Sequence, residues 1–259
     1  LVLYICIDLF MYIVNLILPL DFSILNYNSY CSRIWQWTVR LTAIIGLFFI
    51  LKIRKYNLKI AFISILLGSV VYLSSMFPLN IEIAIATAIC FYSGYTMYDY
   101  YKIKNQTIGL SIQENIKCLL MGCLIAIPFS AFNNFLFFMQ NGNPVFQDVF
   151  RSMKFALQPG IHEEVIFRFF LLALATILLK NKVNDKWFNF YTYSLLVVPH
   201  CVIHLPDTFI SNPLLACITL FITMVFFGFP MAILMKRKNL QMAVGFHWFI
   251  DFIRFLFGY

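Results

Sequence analysis

All four histidines of this 259-residue chain, His162, His200, His204 and His247, fall after residue 160, and Glu163, Glu164, Arg168 and Asp251 fall with them, at or inside apolar runs. An ionisable group in such a run is expensive to bury, so each needs a partner or a role. Residues four apart share a helix face, which pairs Glu164 with Arg168, His200 with His204 and His247 with Asp251. Glu163 lies about 100° around the helix from Glu164 and has no such partner on its own helix. A carboxylate beside imidazoles and shielded from bulk water suits general-base activation of a water molecule. A second imidazole, paired with Asp251, can donate to an oxyanion that develops on a carbonyl. That is a constellation for amide hydrolysis, with Glu163, His200, His204, His247 and Asp251 as candidate catalytic residues. The Glu164–Arg168 pair, neutral as a unit, reads as structural support.

Three other readings compete. Helix–helix hydrogen bonding without chemistry would explain buried polar groups, and it suits Glu164 and Arg168 better than the lone Glu163. Glu163, His200, His204 and His247 could ligate zinc. The run His162-Glu163-Glu164-Val165-Ile166, however, has Ile166 where the zinc-protease helix needs its second histidine. A proton-relay transporter would spread its charges through both leaflets, whereas these gather in one.

The elements that must carry these groups are set by composition. The chain is 62% hydrophobic and 19% aromatic, with thirty Phe and only 12% charged residues. A soluble fold of this size could not hide that apolar surface, so the solvent is lipid. Apolar runs near 1–20, 34–51, 60–78, 81–99, 116–139, 159–179, 188–204, 213–235 and 240–257 predict an all-α polytopic bundle of eight or nine transmembrane helices. The first run, lacking a basic leader and a small-residue cleavage site, is expected to be uncleaved.

The net charge of +8 becomes a topology signal, with no nucleic acid implied. Thirteen of the nineteen Lys and Arg lie in or beside the loops after the second, fourth, sixth and eighth runs. This alternation predicts a cytoplasmic N-terminus; an integral protein of a bacterial cell membrane is expected. Under that orientation Glu163, His200 and Asp251 fall within roughly 10 Å of one another in depth. Between runs, Val145, Phe146, Val149, Phe150 and Met153 recur at helical spacing among polar residues, which predicts a short interfacial helix before the first catalytic helix. Asp8 and Glu82 lack evident partners and read as helix-end groups. The seven cysteines read as buried thiols.

Glu163-Glu164-Val165-Ile166-Phe167-Arg168 reads as EExxxR and His247-Trp248-Phe249-Ile250-Asp251 as HxxxD. With a histidine near the end of the intervening helix, these motifs resemble those of the CAAX protease and bacteriocin-processing (CPBP, Abi) family. The resemblance covers roughly residues 110–259, leaving 1–109 as N-terminal transmembrane helices outside the family core. It implies an intramembrane glutamic endopeptidase acting on a membrane-proximal peptide or protein, with no cofactor and no metal. Glu163 would activate water with the second-motif histidine, and His247 with residue 251 would form the oxyanion hole. His200, with Thr192 eight before it, and His204, with Leu205-Pro206-Asp207 after it, both remain candidates for that histidine. Asp251 stands where the family more often has Asn. An ionised Asp would repel an oxyanion, so it must be protonated or must orient His247. Bacteriocin processing or self-immunity is the implied role. A non-catalytic membrane scaffold or immunity protein is the alternative.

Overall fold

The computed structural model describes residues 30–75, 81–103, 107 and 111–259, with side chains from Ile34 onward, and among them every regular element is a helix. The first apolar run, with Cys6 and Asp8, lies outside the described residues. Seven helices precede the short α8: α1 (Tyr30–Ile53), α2 (Leu58–Ser74), α3 (Ile81–Tyr100), α4 (Ile112–Asn141), α5 (Val149–Glu163), α6 (Leu171–Leu179) and α7 (Asp185–Val202). They are followed by α8 (Pro206–Ser211), α9 (Pro213–Thr223), α10 (Phe229–Arg237) and α11 (Leu240–Leu256). Two π-helical segments, Glu164–Phe170 and Met224–Gly228, splice α5 to α6 and α9 to α10 into continuous rods.

The predicted interfacial helix is not a separate element. Val145 and Phe146 lie outside any helix, and the Val145 and Gln147 backbone N–H groups donate to the Phe257 and Leu256 carbonyls at 3.1 and 2.9 Å. The helix starts only where the Asp148 carboxylate accepts from Arg151 N at 2.7 Å, and it then runs unbroken through Pro159 to Glu163. Periodicity cannot separate a short amphipathic helix from the first turns of a longer one.

Glycines set how closely the rods approach. A Cβ on Gly122 of α4 would collide with the Met242 carbonyl of α11, and one on Gly245 of α11 with the Leu119 carbonyl of α4. A Cβ on Gly160 of α5 would stand 3.1 Å from Trp248 Cα of α11. Such small-residue contacts let backbones meet where lipid supplies no hydrophobic drive. They wedge α11 against both α4 and α5. On the opposite side Phe169 stacks on Phe91 of α3, with ring centroids 5.2 Å apart, above the gap left by Gly94. The Tyr98 hydroxyl ties the same turn down by donating to the Phe169 carbonyl at 3.1 Å.

The exterior is apolar. Leu58, Ile112, Phe150 and Leu214 are each at least 72% exposed, and among the described residues Ile34–Ile53, Ile112–Asn141 and Pro213–Arg237 are long and apolar enough to cross a membrane. The basic loops collect at one end: Lys55 pairs with Asp99 at 2.5 Å, and Ile103, Lys180, Lys236 and Lys238 line one cavity. Glu82 is better placed than its sequence suggested, since both its oxygens accept from Arg40 of α1 at 3.0 Å. Of the described cysteines, all free, Cys90 and Cys201 are buried, but Cys217 of α9 is exposed.

Candidate active site

Glu163 ends α5 and Glu164 opens the π-helical segment, so the paired acids sit where the helix widens. Such π-helical turns recur at functional sites because they re-aim side chains that a regular helix would hold in register. Every residue of the segment is buried, and Ile166, Phe167, Phe169 and Phe170 have no exposed surface. These rings leave Arg168 no outlet except the polar cluster.

Glu163 accepts a short hydrogen bond at Oε2 from His200 Nε2 of α7. The same oxygen lies 3.7 Å from His247 Nε2 of α11 and 3.8 Å from His204 Nε2. Oε1 makes no hydrogen bond among the described residues. Three helices thus converge on one carboxylate oxygen and leave its twin for a water molecule.

The hydrogen bonds assign the His200 tautomer. Arg168 Nη2 lies 2.9 Å from His200 Nδ1, and a guanidinium can only donate. Nδ1 is therefore the acceptor, so the proton of the neutral ring sits on Nε2, aimed at Glu163. Arg168 also pairs with Glu164 across one turn, Nη1 to Oε1 at 2.9 Å, with both side chains fully buried. Glu164 Oε1 then reaches His247 Nδ1 at 2.9 Å. The pair expected to neutralise itself instead joins the two histidines.

Asp251 is doubly engaged. Its Oδ2 lies 3.3 Å from His247 Nε2 and its Oδ1 lies 2.9 Å from Arg254 Nη2. The buried carboxylates of Glu163, Glu164 and Asp251 face the buried guanidinium of Arg168 and the partly exposed one of Arg254, and one further proton balances them. His247, with both ring nitrogens facing carboxylate oxygens, is the group placed to carry that proton. Such balance is what burial of this many charges requires.

His204 differs from the rest. Its side chain is 48% exposed, whereas those of Glu163, His200 and His247 are at most 8% exposed. It stands at the mouth of the site, and His200 in its floor. Glu163, His200 and His204 nevertheless bring one ligand atom each within 4.8 Å of one another, a spacing open to a metal ion. The set fits a metal poorly at His200. A ligating imidazole donates its second N–H to an acceptor, and here that nitrogen faces the Arg168 guanidinium instead.

Sequence reasoning missed several contributors. Trp35 of α1 packs its ring against His162, His204 and Phe167, with centroids 5.6, 5.6 and 5.9 Å away. His162, fully buried, has Nδ1 2.8 Å from the Thr87 hydroxyl of α3, which itself donates to the Ile83 carbonyl. His162 Nδ1–H is therefore the donor, and its Nε2 has no hydrogen-bond partner. Met231 Sδ accepts from Arg168 Nη2 at 3.3 Å. Only Arg254 had a readable signal, its spacing of three from Asp251. Thr192 is buried on α7 and its hydroxyl makes no hydrogen bond, so it serves there as a small packing residue.

Residues 146–253, less than half of the chain, match the family described as type II CAAX prenyl endopeptidase Rce1-like. The match spans all three motifs and leaves out α1 to α4, so that Gly245 of the α4–α11 contact lies within it and Gly122 outside. Searches of curated proteins and of solved structures returned no match.

Proposed function

With residues 146–253 Rce1-like, we propose that this chain is an integral membrane glutamic endopeptidase that cleaves a peptide or protein at the membrane without a metal ion. A CAAX-type endopeptidase is a hydrolase, and the reaction needs an activated water, an oxyanion donor and a proton for the leaving amine. The observation that carries the reading is the free Oε1 of a buried Glu163 whose other oxygen is fixed by His200.

Water held at Oε1 gives its proton to Glu163 as its oxygen bonds to the scissile carbonyl carbon. The carbonyl electron pair moves onto its oxygen, where His247 Nε2–H can donate. Collapse of the tetrahedral intermediate breaks the C–N bond, and the proton held by Glu163 passes to the departing amine. Arg168 keeps His200 in the tautomer that donates to Glu163, so it acts as a positioning residue. Asp251 and Glu164 hold His247 as a donor, which supports the orienting role for an ionised aspartate.

A short exported peptide such as a bacteriocin precursor, with processing or self-immunity as the role, follows the family resemblance. A prenylated substrate follows from the prenyl endopeptidase family that residues 146–253 match. The lipid bilayer is the medium, and no nucleic acid partner is implied. Charge alternation supports a cytoplasmic N-terminus, and a bacterial cell membrane is the proposed location.

The test compares peptides released from membranes carrying wild type or Glu163→Gln, with equal insertion of both confirmed. Loss of specific cleavage products in the variant is expected, with a rate deficit of about 10²-fold or more. An unchanged peptide profile would make the chain a scaffold or immunity protein.

A further inference from the structure

A cavity of about 480 Å³ opens at the end of the bundle where the basic loops meet. Thr176, on its wall, is thirteen residues beyond Glu163 on the same rod, which places the cavity about 20 Å from the candidate active site. Its rim carries Lys180, Lys236 and Lys238 against a single carboxylate, Asp185. Among the described residues none of the three lysines has a carboxylate at ion-pair distance, whereas Lys55 nearby is paired with Asp99. Lys236 is held in place: its Nζ donates to Asn189 Oδ1 at 2.5 Å and lies 4.4 Å from the Tyr193 ring centroid. Leu172, Phe188 and Met235 supply an apolar wall below the lysines.

We propose that this cavity binds the phosphate group of an anionic phospholipid, independently of the proposed proteolysis. Ammonium groups without acidic partners bind phosphate as point charges. Basic pockets between membrane helices at the headgroup level take anionic lipid heads by the same attraction. The apolar wall, and the position of Lys236 at the end of the candidate span Pro213–Arg237, assign the phosphate to a lipid in preference to a free anion.

The full chain in detergent would be titrated with short-chain phosphatidylglycerol, phosphatidylcholine or inorganic phosphate, and bound ligand counted by native mass spectrometry. Phosphatidylglycerol should bind at least about tenfold more tightly than phosphatidylcholine. The triple change Lys180→Gln, Lys236→Gln, Lys238→Gln should remove that preference, the corresponding triple change to Arg should keep it, and Lys52→Gln with Lys59→Gln should leave it unchanged. Should the Gln triple not fold, Lys236→Gln alone carries the same readout. Equal binding of the two lipids overturns the proposal, as does a preference that survives the Gln changes or falls with the Lys52 and Lys59 control. Displacement of the lipid by equimolar inorganic phosphate overturns the lipid assignment.

Discussion

Arg168 places one guanidinium nitrogen 2.9 Å from His200 Nδ1 and the other 2.9 Å from Glu164 Oε1. One side chain therefore fixes a tautomer on α7 and a carboxylate on its own helix. Lys has one nitrogen and no fork. Arg168→Lys should stay folded while cleavage falls at least about tenfold, because a single ammonium cannot serve both contacts. Arg168→Gln leaves the buried cluster one positive charge short and should lose about 3–5 kcal/mol of stability. Thermal unfolding in detergent beside cleavage rates separates the two effects, and full activity in the Lys variant would end the positioning role.

The two second-motif histidines should part company. His200→Ala removes the hydrogen bond that fixes Glu163 and should cut cleavage by about 10²-fold or more. His204→Ala, at the half-exposed mouth, should cost less than about tenfold. EDTA should leave wild-type activity intact, and inactivation by chelator with recovery on adding zinc would instead support a metal at Glu163, His200 and His204.

Trp35→Ala should open the wall over His162 and His204. Each aromatic contact is worth about 0.5–1.5 kcal/mol, so unfolding should shift modestly. Cleavage should lose selectivity among peptides more than it loses maximal rate. A uniform fall in kcat across peptides would assign Trp35 to packing alone.

Gly245→Val should force α11 away from α4, because its first side-chain carbon already collides with the Leu119 carbonyl. Overpacking of this kind costs about 1–3 kcal/mol. The same displacement moves His247 from Glu164, so activity should fall further than stability alone explains. Melting and cleavage measured at one temperature, well below the transition, test this.

The convergence of Glu163, His200, His247 and Asp251 was legible because charge is rare in this chain, and helical spacing plus depth left few places for it. The roles of Glu164 and Arg168 were less legible. Spacing of four announced their pair, but not that each would also reach a histidine on another helix. The π-helical turn was invisible, since a run buried on every side has no apolar stripe from which to measure the period. Glu82 looked unpartnered because its partner, Arg40, is forty-two residues away on another helix. The non-helical stretch before Asp148 escaped because its apolar residues happen to repeat at helical intervals.

Trp35 and Thr87 lie outside residues 146–253, yet both border the site through His162. A chimera that grafts the matching segment onto foreign N-terminal helices would inherit the reacting groups without the shape of their chamber. Under the proposed function, selectivity would then travel with the helices outside residues 146–253, and hydrolysis with the segment that matches the family.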